Sequence, residues 1–175
     1  TAKAVNINCI SGWTINGGLN VNADVKLAGI IEMNSVISVN NRTLTIDGGY
    51  IDAANRFSVN GGLVKIDNET VISGETNIFT GMNSNQIAIY SGFFKYNPAG
   101  FSVPGTVVNG DVAVTDDNGY GFSDFTGFEV AVGSTKYQAS LNGSYYETLQ
   151  AAFDAAKNNE TVYAVSYTHL RAHET

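Results

Sequence analysis

Apolar and polar residues alternate along the chain from Val5 to about Tyr96, in short runs rather than long ones. Alternation with a period of two is typical of a β-strand that buries one face and exposes the other. The runs end in Asn, Asp or Gly, which tolerate left-handed backbone conformations and form turns. The pattern predicts many short strands joined by tight turns, and its clearest examples are VNIN, LNVN, ISVN, LTID, FSVN and IAIY.

Two pairs of phrases recur at nearly the same separation, which indicates an internal repeat. INGGLNVN at Ile15 and VNGGLVKI at Val59 are offset by 44, while LTIDGGYID at Leu44 and IAIYSGFFK at Ile87 are offset by 43. Half of this offset, about 22 residues, fits one coil of a β-solenoid. Stacked coils would lie roughly 4.8 Å apart and pair in parallel. The 20 Asn residues would stack their side-chain amides at repeated turns.

An antiparallel β-sandwich is the alternative fold, because it also contains many short strands separated by turns. Two features favour the solenoid over the sandwich. The offset between repeats is nearly constant, and the hairpin signals are weak, since the paired glycines often lead into further extended chain.

Three phrases in this stretch resemble the right-handed parallel β-helix modules of large bacterial surface proteins, which have a pectin-lyase-like fold: RTLTIDGGYI, FSVNGGLVKI and IAIYSGFFKYNPAGF. The resemblance covers roughly residues 5 to 165. It implies an all-β fold and an extracellular or cell-surface location. It also implies a non-enzymatic structural or adhesive role, with glycans or surface proteins as partners. Residues 1–98 would form one such module, cut at its N-terminal side.

The texture of the chain changes after Pro98. Residues 99–130 are rich in Gly and Asp, and we expect them to form a linker with a small β element. Within this segment VVNGDVAV is the clearest hairpin candidate, with Asn109-Gly110 as a type I′ turn.

Residues 131–164 contain the one convincing helical pattern, TLQAAFDAAK, which predicts a short helix near 148–157. Thr148 is expected to cap its N-terminus and Asn158-Asn159 to end it. YYETLQAAFDAAKNNETVYAV resembles the phrase that opens a new β-helix in the same surface proteins, where the helix covers the first coil. The resemblance implies the start of a second β-helix unit. One apolar stripe of the helix is formed by Leu149, Ala152, Phe153 and Ala156.

Charge and composition exclude several kinds of partner. The net charge is -7, and the basic residues are scattered singly, which argues against nucleic acid and anionic membranes. No apolar run approaches 18 residues, so no membrane-spanning helix is predicted. The single cysteine, Cys9, is expected to be a small buried hydrophobic residue. The chain has no initiator Met, and we expect Thr1 to continue a longer chain.

Polysaccharide lyases and hydrolases share the β-helix fold, so the carboxylates are candidates for catalysis. Hydrolysis needs two or three converging carboxylates, and a lyase needs bound Ca²⁺ and a basic residue. Asp47, Asp52 and Asp67 lie in or near turns, and Asp116-Asp117 lie in the linker. The Gly-His-Gly and Arg-x-Lys phrases of solenoid polygalacturonases are absent. The basic residues of the solenoid do not cluster in sequence: Lys26, Arg42, Arg56, Lys65 and Lys95. We therefore predict no catalytic residue.

Metal ions and exposed aromatic rings are the remaining candidates. DDNGYGFSD has a loose EF-hand-like order, but its twelfth position is Gly127 instead of Glu, so no metal or other cofactor is predicted. If Ile87 and Ile89 point inward, Tyr90 points outward, and exposed rings can stack on sugars or anchor a protein. Phe94 and Tyr96 would flank it. Packing of these rings against the linker is the favoured alternative.

The two histidines, His169 and His173, are four residues apart and would share one face of a helix, as in a zinc site. The chain has no third histidine to complete such a site. The segment around them, VSYTHLRAHET, resembles the translation of a transposon-type sequencing adapter, and it lacks the Asn and Gly of the preceding chain. We interpret residues 165–175 as a non-native tail.

Overall fold

The computed structural model describes residues 5–132, 139–141, 144–146, 148–157 and 160–164. It divides into two compact units, with the boundary between Ala131 and Val132. The first unit is a parallel β-solenoid of about four turns, which confirms the predicted all-β solenoid. The alternative antiparallel sandwich is wrong, because the strands of successive coils pair in parallel.

A larger sheet runs along one side of the coils. Its first three coils contribute long parallel strands: β1 (Val5–Ile15), β3 (Val25–Met33) and β5 (Thr43–Ala53). In the next two coils a turn divides the same path into two strands, β7 (Leu63–Asp67) with β8 (Val71–Ser73), and β9 (Ile87–Ile89) with β10 (Gly92–Phe94). The turn between β7 and β8 holds Asn68 and Glu69 in left-handed backbone conformations.

A smaller parallel sheet closes the coils on the other side. Its strands are β2 (Leu19–Val21), β4 (Ile37–Asn40) and β6 (Phe57–Asn60). Inward side chains of both sheets stack in columns, since each coil repeats the alternation of the coil before it. One column is at most 1 % exposed along its whole length: Leu27, Ile46, Ile66 and Ile89.

The strand register sets the length of a coil. One column places Val5, Val25, Leu44, Val64 and Ile87 on successive rungs, in steps of 20, 19, 20 and 23 residues. The coil is therefore slightly shorter than the predicted length, except where residues are inserted before the last rung.

One of the two sequence repeats is structural and the other is coincidental. Leu44 and Ile87 occupy the same column two coils apart, so their offset of 43 is a true repeat. Leu19 begins β2 in the smaller sheet, whereas Leu63 begins β7 in the larger one. The two glycine pairs before them have similar turn chemistry but lie at different corners of the coil.

The long strands bend where two glycines stack. Gly29 and Gly49 are register neighbours in β3 and β5, with φ values of 97° and 93°. A Cβ atom on Gly49 would overlap the backbone of Gly29, because the two chains approach closely at the bend. The bend gives the larger sheet two differently oriented halves.

The asparagines act mostly on the nearby backbone. Among the described residues one ladder step is seen, in which Asn34 Nδ2 donates to Asn16 Oδ1 at 3.1 Å. Other side-chain amides accept hydrogen bonds from backbone N–H groups one or two residues later, which is how Asn stabilises turns. Such acceptors are Asn55, Asn77 and Asn97. The predicted amide stack therefore accounts for little of the Asn content.

The segment after Pro98 extends the larger sheet. Strand β12 (Phe125–Val132) pairs antiparallel with β10, and β11 (Thr106–Val114) lies beside β12. The predicted hairpin at Asn109-Gly110 is wrong, because β11 runs through both residues. A type I′ turn needs positive φ at both central residues, whereas here the positive φ falls on Asp111.

This segment also covers the outer face of the solenoid. Outward-facing Tyr50 and Val71 are buried together with Val114 in a second apolar cluster. Half-buried side chains from both sides surround them: Ile30, Phe93, Val112, Tyr120, Phe122 and Phe125. Residues 99–130 are thus packed against the coils, in contrast to the loose linker expected from their Gly and Asp content.

The second unit contains a small antiparallel sheet and one helix. The sheet order is β14 (Ser144–Tyr146), β13 (Ala139–Leu141) and β15 (Val162–Ala164), and the helix is α1 (Leu149–Ala155). Thr148 Oγ1 accepts a hydrogen bond from the Ala151 N–H at 3.0 Å, as an N-cap does. In the predicted apolar stripe Ala152 is buried, while Leu149 and Phe153 are exposed.

Two predictions for this end of the chain are left open. The described strands pair antiparallel, so a second parallel solenoid in residues 131–164 stays a prediction. Asn158-Asn159 as the helix end, and the tail 165–175 with His169 and His173, lie outside the described residues.

Candidate functional site

The outer face of the larger sheet brings together charged residues that lie far apart in sequence. Lys26, Thr45 and Lys65 occupy one outward row on successive rungs, and Asp47 and Asp67 are neighbours in the next row. Lys26 Nζ forms an ion pair with Asp47 Oδ2. We call these five residues the charged face. Spacing in sequence hid it, whereas a coil length of about 20 residues would have revealed it.

Hydrogen bonds within the protein occupy the carboxylate of Asp67. Its Oδ1 accepts from the Asn68 N–H at 2.8 Å and from Ser91 Oγ at 3.0 Å. Thr70 Oγ1 donates to the Asp67 carbonyl at 2.6 Å in the same turn. Asp67 therefore acts as a turn cap, the ordinary role of Asp at such a position.

Two further carboxylates lie next to each other on the second half of the sheet. Glu32 and Asp52 are register neighbours in β3 and β5. Glu32 accepts hydrogen bonds from Thr14 Oγ1 at 2.8 Å and Asn34 Nδ2 at 3.1 Å, and these bonds lower the pKa of Glu32. A general acid needs a raised pKa instead. The pair, which the sequence reasoning missed because Glu32 was not considered, lacks the electrostatics of a glycosidase.

The other predicted basic residues are spread over the coil. Arg42 Nε donates to the Asn22 carbonyl at 3.1 Å, and Lys95 Nζ donates to the Gly74 carbonyl at 3.0 Å. Arg56 lies in the turn before β6. These contacts tie side chains to backbone carbonyls of other coils or turns, so they stabilise the stack.

The acidic loop DDNGYGFSD folds around one carboxylate. Asp116 Oδ1 accepts from the Tyr120 N–H at 2.7 Å, and Asp116 Oδ2 accepts from the Gly121 N–H at 2.6 Å. Asp117 Oδ1 accepts from Thr115 Oγ1. In the part of the chain that the structure describes, no three His, Cys, Asp or Glu side chains lie together as metal ligands would.

The aromatic side chains at the end of the solenoid do not form an exposed platform. Phe94 is 1 % exposed, and its ring centroid lies 5.8 Å from that of Phe79. Tyr90 is half-buried, and Tyr96 Oη donates to the Glu75 carbonyl at 2.8 Å. The expectation that Phe94 flanks Tyr90 outside is wrong, because the turn between β9 and β10 shifts the alternation by one residue.

Two buried titratable groups lie under the outer surface. Cys9 is buried as predicted, and burial raises the pKa of its thiol. The Tyr50 hydroxyl lies 2.9 Å from Ser73 Oγ, and its ring lies 4.9 Å from that of Phe122. Burial raises the pKa of Tyr50, with a smaller opposing effect of the Ser73 hydrogen bond. The negative charges of Asp52 and Asp116 raise it further.

Tyr50 should make stability depend on alkaline pH. Above the ordinary pKa of about 10 the unfolded tyrosine loses its proton while the folded one keeps it, so stability falls until the pH passes the folded pKa. We expect Tyr50→Phe to lose about 1 kcal/mol below pH 10 with the hydrogen bond. It should also show a shallower decline above pH 10. Urea titrations at pH 8 to 11 measure both effects.

Tyr90→Phe is the matched control for this pH dependence. Tyr90 is half-buried on the other half of the sheet, so its variant should follow the wild-type decline. Equal slopes for wild type and Tyr50→Phe above pH 10 would show that Tyr50 does not link folding to pH.

An apolar cavity of about 320 Å³ opens at the first coil. Its walls are the inward side chains of the first coil and the rung beneath it, chiefly Val5, Ile7, Trp13, Leu19, Val21 and Leu27. Asn20 and Asn22 supply polar groups at its wall. The cavity is the exposed start of the core columns, and it has no titratable group for chemistry.

Comparisons with family models, with curated proteins and with solved structures find no match to this chain. The fold and its surfaces therefore define the class: a parallel β-solenoid with a charged outer face and a covered second face. No helix in the described ranges is long and apolar enough to cross a membrane.

Proposed function

We propose that this chain is a non-enzymatic structural module of an extracellular or cell-surface repeat protein, acting as a rigid spacer or adhesive stalk. The observation that carries the proposal is the uninterrupted column structure from β1 to β9, which makes each coil the support of the next. A right-handed, pectin-lyase-like form is what the sequence resemblance implies for this solenoid.

The polar groups of the coils support a structural role over a catalytic one. Asp67, Asp116 and Glu32 each accept hydrogen bonds from groups of the protein itself. Lys26 is paired with Asp47, and burial keeps the Cys9 thiol protonated by raising its pKa. A catalytic carboxylate or nucleophile usually has the opposite character, with a pKa tuned toward the working pH.

Carbohydrate binding is the second candidate, and the charged face favours it. Two lysines, two aspartates and a threonine lie on one flat sheet surface, with half-buried Tyr90 at the end of the neighbouring strand. Polar side chains on a rigid sheet can hydrogen-bond to sugar hydroxyls, and a ring edge can contact a sugar face. Acidic polysaccharides are the class of glycan that such lysines would attract.

A glycan array on the full chain separates these candidates. The spacer proposal predicts no saturable binding. Reproducible binding that is lost in Lys65→Ala or Tyr90→Ala, and kept in the control Lys95→Ala, would replace it by the carbohydrate-binding candidate. Lys95 serves as control because it donates to the Gly74 carbonyl away from the charged face.

Turnover assays on acidic polysaccharides test the absence of catalysis. Release of reducing ends reports hydrolysis, and absorbance of an unsaturated product reports a lyase reaction. We expect neither above the background of a heat-unfolded sample, and sustained turnover by the folded protein would contradict the proposal.

A further inference from the structure

The outer edge of the first coil lacks the features that keep a β-edge from pairing. From Val5 to Ala23 the chain contains no charged residue and no proline. Strand β1 is 11 residues long, and among the described strands none lies on its outer side. Natural proteins protect such edges with lysine, proline, bulges or covering loops. An uncharged long edge is the form that accepts another strand.

Large apolar groups are exposed along the same edge. Ile10 is 78 % exposed and Val5 is 47 % exposed, and Trp13 is exposed beside the cavity of about 320 Å³. The cavity and these side chains form one apolar surface at the start of the core columns. A partner that continues the alternation of apolar and polar residues would cover them together.

The opposite end of the coils is covered by the chain itself. The Ile89 N–H donates to the Phe101 carbonyl, and the Val103 N–H donates to the Ile89 carbonyl, both at 2.9 Å. Gln86 Nε2 donates to the Val59 carbonyl at 2.7 Å, at the edge of β6. An edge-to-edge contact of the first coil with this end of another copy is therefore blocked, which leaves pairing of one first coil with another.

We propose that two copies of this chain pair head to head through β1, antiparallel and centred on Ile10. In this register odd-numbered residues face odd-numbered ones, so inward Val5 lies opposite Ile15 and Ile7 opposite Trp13 of the second copy. Even-numbered outward residues pair likewise, and the exposed Ile10 meets its own symmetry mate. The strand is thus self-complementary, as a two-fold interface requires.

Charge supports a second copy as the occupant. Each copy carries a net charge of -7, so two copies repel one another over most of their surface. The first coil is the uncharged part of the solenoid, and it allows approach without placing like charges together. This proposal does not rest on the proposed function, since a spacer and a carbohydrate-binding module would dimerise alike.

Sedimentation velocity on the full chain tests the proposal. We expect a species of about twice the 18.6 kDa of one chain. Ile10→Lys places two like charges opposite each other and should weaken the dimer by roughly 100-fold or more. Because Ile10 is exposed, the circular dichroism spectrum and melting temperature should stay close to wild type. Val107→Lys is the control, since Val107 is 43 % exposed on β11 and should leave the dimer intact.

Disulfide cross-linking then tests the register. In a Cys9→Ser background, Ile10→Cys should form an intermolecular disulfide, because paired antiparallel residues lie within the Cα distance a disulfide needs. Val107→Cys in the same background should stay monomeric on a non-reducing gel. A monomeric wild type would overturn the proposal, as would a dimer that survives Ile10→Lys. Open-ended oligomers, or a cross-link at Val107 instead of Ile10, would do the same.

Discussion

Replacing Gly49 by alanine is expected to lower the free energy of unfolding of the solenoid by roughly 2–5 kcal/mol. Gly49 has a φ of 93°, which an L-residue with a Cβ adopts only with strain. The added Cβ would also overlap the backbone of Gly29 on the neighbouring rung, which cannot move without breaking the pairing of β3 and β5. Both costs arise at the bend that separates the two halves of the larger sheet.

Urea denaturation followed by the fluorescence of Trp13 measures this effect, because Trp13 is the single tryptophan and lies in the first coil. Gly17→Ala is the matched control. A Cβ atom on Gly17 would meet no other part of the protein within 4 Å, so this variant should unfold close to the wild-type midpoint. Similar losses in both variants would mean that the stacked glycines have no special role in the bend.

The solenoid was predictable from sequence because its cause is local and repeated. Each rung needs apolar residues two apart and a turn after them, and LTIDGGYID and IAIYSGFFK repeat that need at an offset of 43. The coil length was harder to predict, since Gly pairs occur at more than one corner of a coil. The match between the phrases at Ile15 and Val59 joined two such corners and lengthened the predicted coil.

The charged face and the covered second face were not predictable in the same way. Placing Lys26 beside Thr45 and Lys65 requires the register to within one residue, which the alternation alone does not supply. Tyr50 and Val71 face outward and are nevertheless buried, because a later segment packs over them. Sequence alternation indicates which side of a strand a residue occupies, and it does not indicate what covers that side.

Phe94 is where alternation and structure disagree most clearly, and Phe94→Ala should cost about 3–5 kcal/mol of unfolding free energy. Strict alternation from Ile89 puts Phe93 inside and Phe94 outside, but the turn at Tyr90 reverses them. Phe94 is 1 % exposed with Phe79 beside it, whereas Phe93 lies half-buried in the outer cluster.

The ratio of two matched truncations decides between these arrangements. Phe93→Ala removes the same atoms from the neighbouring residue, so it controls for side-chain size and for the local strand. It should cost clearly less than Phe94→Ala, because its ring keeps partial contact with water and leaves a cavity that solvent can fill. Both are measured by the same urea titration of Trp13 fluorescence. The reverse order, with Phe93→Ala the more damaging, would restore strict alternation and place Phe94 on the outer surface beside Tyr90, where it would again be a candidate sugar contact.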